Sequence, residues 1–151
     1  MMSSRHTIVL SFMFLLILSH SAFAYSARRD AVAGPVVGEV TDVLDGDTVV
    51  VRLHVWIGEN IETSVRIAGI DAPEIHGKCE KERQMALDAK TELARLLKDN
   101  KISLYDIRLE KYAGRVLAVA RTADGTDIGT HMLDTGFARP YHGKKRGAWC
   151  S

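Results

Sequence analysis

Val, Ile and Thr crowd three successive runs, VVGEVTDVL (36–44), DTVVVRLHVWI (47–57) and IETSVRIAGI (61–70), the composition of β-strands. In the second run Val49, Val51, Leu53 and Val55 alternate with Val50, Arg52 and His54, which predicts one buried face and places His54 on the solvent side. IGEN (57–60) supplies the Gly and Asn of a hairpin turn into the third run. From about residue 80 to 98 the period lengthens to that of a helix. Met85, Ala89, Leu93, Leu96 and Leu97 share one face, while Lys81, Glu82, Asp88, Lys90, Glu92 and Arg95 fall mostly elsewhere. KDNK ends that helix. Two more strands are predicted in KISLYDIRL (101–109) and RVLAVARTA (115–123), then a short helix in DIGTHMLDTG (127–136) stopped at Gly136, then an extended FARPY (137–141).

Three strands, a helix, two strands and a short helix predict a mainly β, α+β fold. The leading architecture is a five-stranded Greek-key barrel of the oligonucleotide-binding (OB-fold) type, with the long helix between strands three and four. An open α+β sandwich is the alternative. Neither gives a function by itself.

The first 24 residues break the pattern. A basic Arg5, an apolar run from Ile8 to Leu18 and small residues around Ala22-Phe23-Ala24 have the three-part form of a secretory signal cleaved after Ala24. The run is short for a span of about 20 residues, so no lasting membrane association is expected. Residues 25–35 mix charge with small residues and read as a flexible leader, leaving 36–151 as one domain. The expected product is an exported monomer, periplasmic or secreted. Taking Arg5 from 20 basic residues leaves 19 against 19 acidic, so any polyanion must be held by a local cluster rather than a global field. Cys79 and Cys150 are the two cysteines. In an oxidising compartment a disulfide is expected, worth about 4 kcal/mol by the chain-entropy argument; two free thiols are the alternative. A zinc site is not expected from two isolated cysteines.

Two acidic loops carry the candidate chemistry. In LDGDT, Asp47 opens the second strand; in GIDAPE, Asp71 and Glu74 follow the third. Pairing of these strands brings Asp47 and Asp71 to one end of the sheet, where two carboxylates with carbonyls and waters suit calcium. Pro73 keeps Asp71 and Glu74 from stacking as a helical pair. Arg66 and Arg115 offer the planar fork that grips a phosphodiester. Each feature alone is a common surface pattern, and it is their joint presence that points to a site. His76 and His131 are assigned no role.

VLDGDTVVV, RIAGIDAPE and KYAGRVLAVARTADGTDIG with LDTGFARPY resemble, in order, the staphylococcal nuclease (thermonuclease) family over about residues 36–141. The resemblance implies an OB-type barrel and a calcium-dependent phosphodiesterase acting on DNA, RNA or both. It implies calcium at Asp47, Asp71 and the backbone carbonyl of Ala72, activation of water by Glu74, and phosphate binding with transition-state stabilisation by Arg66 and Arg115. It places Tyr112 near the nucleotide phosphate and Tyr141 near a stacked base. The 5′ P–O bond is expected to break, leaving 3′-phosphates, and Glu74→Gln or Arg66→Ala to remove activity while the fold survives. KYAGR carries one residue more than the commoner spacing, which bears on Tyr112. The tail after Tyr141 lacks the long terminal helix, and its Lys144, Lys145 and Arg146 are open to two readings, contacts to a phosphate backbone or a solvated tail, with Cys79 and Cys150 as a clamp. A barrel that binds nucleic acid without cutting it is the rival, although such domains usually lack several of the five groups present.

Overall fold

A computed structural model describes residues 31–110 and 114–150. The strands are β1 (Ala31–Val32), β2 (Val36–Val43), β3 (Thr48–Trp56), β4 (Glu59–Ile67), β5 (Ile70–Asp71), β6 (Lys101–Leu109), β7 (Arg115–Thr122) and β8 (Arg139–Pro140). The helices are α1 (Glu80–Leu96) and α2 (Ile128–Asp134). Strand β3 pairs antiparallel with β2 and β4, β4 runs parallel to β7, and β6 closes the barrel by pairing antiparallel with both β7 and β2. The fold is the expected closed five-stranded OB-type barrel, with α1 between its third and fourth strands. Closure removes the free edges that an open sandwich would leave.

Val49, Val51, Val65, Ile67, Ile102, Leu104, Ala118 and Ala120 fill the interior, joined by Ala89, Leu93 and Leu97 from α1 and by Ile128 and Met132 from α2. Burying Leu93 is worth about 2 kcal/mol. The Arg83–Glu80 and Arg95–Glu92 pairs on the exposed side of α1 contribute only about 0.3–0.5 kcal/mol each. The apolar stripe therefore holds the helix in place. It differs from the predicted stripe at Ala86, which is buried, and at Glu82, a buried carboxylate that accepts the Lys78 N–H at 2.9 Å.

Val55 departs from the predicted face. The β2 register ends at Glu39↔Arg52 and the β7 register begins at Ser64↔Arg115, so the β3–β4 hairpin beyond them stands clear of the barrel. A register shift between His54 and Trp56 adds to this, and Val55, Trp56 and Ile61 are exposed. His54 is on the solvent side, 3.2 Å from Asn60 Oδ1. Ala31 and Val32, in the stretch read as leader, pair with Arg108 and Ile107 of β6. The signal segment and leader residues 25–30 lie outside the described residues. No helix among the described residues is long and apolar enough to cross a membrane.

Candidate active site

The register Thr48↔Arg66 sets the start of β3 beside the end of β4, and the Asp47 carbonyl accepts the Ile67 N–H at 2.8 Å. The Asp47 side chain is thereby turned inward. Its Oδ1 accepts from Arg66 Nη1 and from the Thr48 hydroxyl, both at 2.8 Å, and its Oδ2 accepts the Ala72 N–H at 2.9 Å. Burial, then the charge of Asp45, pushes the Asp47 carboxyl up to about 6, against the opposing pull of Arg66, the Ala72 amide and Thr48. The Asp45-Gly46 loop needs glycine because α1 lies against it. A Cβ on Gly46 would come within 2.6 Å of Ala89 Cβ and 2.8 Å of Ala72 Cβ.

Asp71 ends β5, opposite Arg139 in the two-stranded β5–β8 ladder. It is 1% exposed. Its Oδ2 accepts from Arg139 Nε at 3.1 Å and Nη2 at 2.9 Å. Its Oδ1 lies 3.0 Å from Arg146 Nε and 3.6 Å from Arg66 Nη2, yet neither N–H is aligned to hydrogen-bond it. That oxygen is paired by charge with two guanidinium groups but accepts no hydrogen bond, so its lone pairs stay available to a further cation. With the Asp47 carboxylate beside it across Arg66, and the Ala72 carbonyl in the same loop, the donors are hard oxygens and fit a cation such as calcium. Glu74 is half-exposed and contacts Arg146 Nη1. The Cys79, Glu82 and Cys150 ligand atoms also cluster, but the two sulfurs are bonded to each other and offer no thiolate to a metal.

Arg66, 4% exposed, also donates to the Ile70 carbonyl at 3.4 Å. Arg115 donates from Nε to Glu110 Oε2 at 2.5 Å, and Glu110 Oε1 lies 4.0 Å from Arg66 Nε. One carboxylate at the end of β6 thus links the two predicted phosphate arginines. Among the described residues, the two terminal nitrogens of Arg115 make no hydrogen bond. Tyr141 lies beneath Arg66, 5.9 Å from guanidinium carbon to ring centroid, and borders a cavity of about 510 Å3 with Arg66, Arg108, Glu110, Leu117 and His142.

The structure brings together Asp47, Arg66, Asp71, Ala72 and Glu74, and joins Arg115 to them through Glu110. Cys79 and Cys150 are disulfide-bonded. Lys144 and Lys145 are exposed, and Lys145 borders a second cavity of about 770 Å3 beside Glu74 and Arg146. Tyr112 lies outside the described residues. His131 packs α2 on α1 through Glu92, Nε2 to Oε1 at 2.7 Å, away from this cluster. Sequence reasoning missed Glu110 and Arg139, and it left Arg146 open between a phosphate contact and a solvated tail, whereas here Arg146 pairs with Asp71 and Glu74. The pairing of Cys150 with Cys79 was a usable signal, because it returns a basic tail to the acidic loop.

A family model described as "Staphylococcal nuclease homologue" matches residues 64–148, a span that runs from the second half of β4 through β5, both helices, β6, β7 and β8 into the C-terminal tail. The probable endonuclease LCL3 of Phaeosphaeria nodorum is 31% identical over 91 residues, which cover 58% of this chain and 30% of that protein. The chain therefore spans about a third of the length of the curated relative it matches.

Proposed function

Because the chain belongs to the staphylococcal nuclease family, we propose that it is an exported, calcium-dependent nuclease hydrolysing phosphodiester bonds of DNA, RNA or both. The observation that carries this reading is the pair of buried carboxylates, Asp71 and Asp47, set across Arg66, with Asp71 Oδ1 accepting no hydrogen bond although Arg146 Nε lies 3.0 Å from it. Asp47, Asp71 and the Ala72 carbonyl would hold the cation, which supplies positive charge beside the phosphate oxygens when bound. Arg115 brings its terminal nitrogens to the phosphate and Arg66 adds a second charge. Both are worth most where charge builds on a five-coordinate phosphorus. Glu74, at the mouth of the site, accepts a proton from the attacking water. The new P–O bond forms as the 5′ P–O bond breaks, leaving a 3′-phosphate and, once protonated, a 5′-hydroxyl. Tyr141 and the adjoining cavity suit a base, and Lys144 and Lys145 suit a neighbouring phosphate. The signal-like N-terminus supports export, and a disulfide fits an oxidising compartment.

Digestion of single-stranded DNA, duplex DNA and RNA by the wild-type chain and by Glu74→Gln tests the assignment. Turnover should fall by at least about 100-fold in Glu74→Gln, with 3′-phosphate ends from the wild type. Wild-type turnover in Glu74→Gln would remove Glu74 from the chemistry. Binding without cleavage by the wild type would favour the rival nucleic-acid-binding module.

A further inference from the structure

We propose that Arg139 is a positioning residue that sets the rotation of the Asp71 carboxylate, and that the tail Gly147–Cys150 holds Arg139 in place. The inference rests on the reading of Asp71 as a cation ligand.

Arg139 stands opposite Asp71 in the β5–β8 ladder, so the backbone fixes where its side chain starts. Two of its N–H groups converge on a single oxygen, Oδ2. A carboxylate gripped at one oxygen cannot spin about its terminal bond, and the other oxygen faces a fixed direction. That other oxygen is the one left without a donor. Two of the three remaining N–H groups of Arg139 are also engaged. Its Nη1 donates to the Ala148 carbonyl at 3.1 Å and its Nη2 to the Gly147 carbonyl at 2.6 Å, while its flat face lies 4.0 Å from the Trp149 ring centroid. With four of its five N–H groups engaged and its face against a ring, Arg139 has no paired fork left for a phosphodiester. The tail that supplies two carbonyls and a ring is itself tied by Cys150 to Cys79, the residue before α1. The disulfide thus reaches the proposed ligand through Arg139.

Charge alone predicts the opposite effect from positioning. Arg139 is cationic and repels a dication, so deleting its charge should tighten calcium binding. Loss of a group that orients a ligand instead weakens metal binding by about 10–100-fold.

The test is calorimetric titration of calcium chloride into the purified full chain, with Tm recorded beside it. Arg139→Gln should weaken the calcium Kd by about 10–100-fold. Arg139→Lys should recover little of this, since one ammonium cannot reproduce the planar fork. An unchanged or tighter Kd in Arg139→Gln, with only Tm lowered, would reduce Arg139 to a structural role and overturn the proposal. Asp71→Asn separates the two layers. If it abolishes calcium binding while Arg139→Gln leaves it intact, the Arg139 inference fails and the cation reading stands. If Asp71→Asn binds calcium as the wild type does, the cation reading fails and takes the inference with it. Should Arg139→Gln not fold, Trp149→Leu and Cys150→Ser carry the test. Each should weaken calcium binding by about 10-fold, and wild-type Kd in both would overturn the proposal.

Discussion

Replacing Arg66 by Ala should cost stability as well as activity, and by an amount that depends on pH. Arg66 is buried between Asp47 at 2.8 Å and Asp71 at 3.6 Å. Its removal leaves two buried carboxylates without their shared cation, a loss of the kind that costs about 3–5 kcal/mol. Domains of this size are stable by only about 5–15 kcal/mol, so the variant should be folded at 25 °C but weakened. Protonation offsets part of the loss. Asp47 titrates near 6 when folded against an ordinary 3.8, so its contribution to stability is fully present below about pH 4 and is lost as pH rises through 6. Without Arg66 to pull it down, Asp47 should hold its proton to higher pH still. The deficit should therefore reach about 3–5 kcal/mol at pH 8 and shrink at pH 5. Urea denaturation followed by tryptophan fluorescence, in chelator and at both pH values, measures it. A deficit below about 1 kcal/mol at pH 8, or one that grows at pH 5, would refute the reasoning.

Cys150→Ser opens a covalent loop spanning 71 residues, worth about 4 kcal/mol in chain entropy, so thermal melts should show Tm falling by roughly 15 °C; a fall of under about 3 °C would contradict the clamp. Gly46→Val drives a side chain into Ala89 and Ala72 and should cost about 1–3 kcal/mol in urea melts. Nuclease turnover should fall further than that loss of stability explains, because Asp47 moves with the loop. Glu92 is held down to about 2 from 4.5 by its hydrogen bond to Arg95, then by His131. A depressed carboxylate contributes stability above its unfolded pKa and loses it as pH falls through the folded one. Glu92→Gln should therefore cost about 1 kcal/mol at pH 7, given the exposure of Arg95, and the difference from wild type should vanish as pH approaches 2.

Much of the barrel was legible because its strands carry local signals. Val49, Val51 and Leu53 alternate as a half-buried strand must, and Gly58 sits with positive φ in the turn where IGEN placed it. The convergence of Asp47 and Asp71 was legible for the same reason, since the antiparallel pairing of β3 with β4 brings both to one end, against Arg66. What escaped depends on contacts between distant segments. Val55 obeys the alternation but lies past the end of the β2 register, in the part of the β3–β4 hairpin that stands clear of the barrel. Glu82 is polar yet buried, because the Lys78 amide needs an acceptor there. Arg66 reads as an ordinary strand arginine until closure of the barrel shows it sealed between two acids. Glu110 has no local signature at all, because its meaning lies in Arg66 and Arg115 reaching it from two other strands. Arg139 and Arg146 acquire theirs from the β5–β8 register and from the disulfide, and neither is set by nearby sequence.

Cleavage of plasmid DNA by the purified chain, in calcium and then in excess chelator, with Asp71→Asn alongside, bears most directly on the central claim. Cleavage by the wild type in calcium, with none in chelator and none by a folded Asp71→Asn, is the predicted result. Cleavage that continued unchanged in chelator, or in Asp71→Asn, would contradict it.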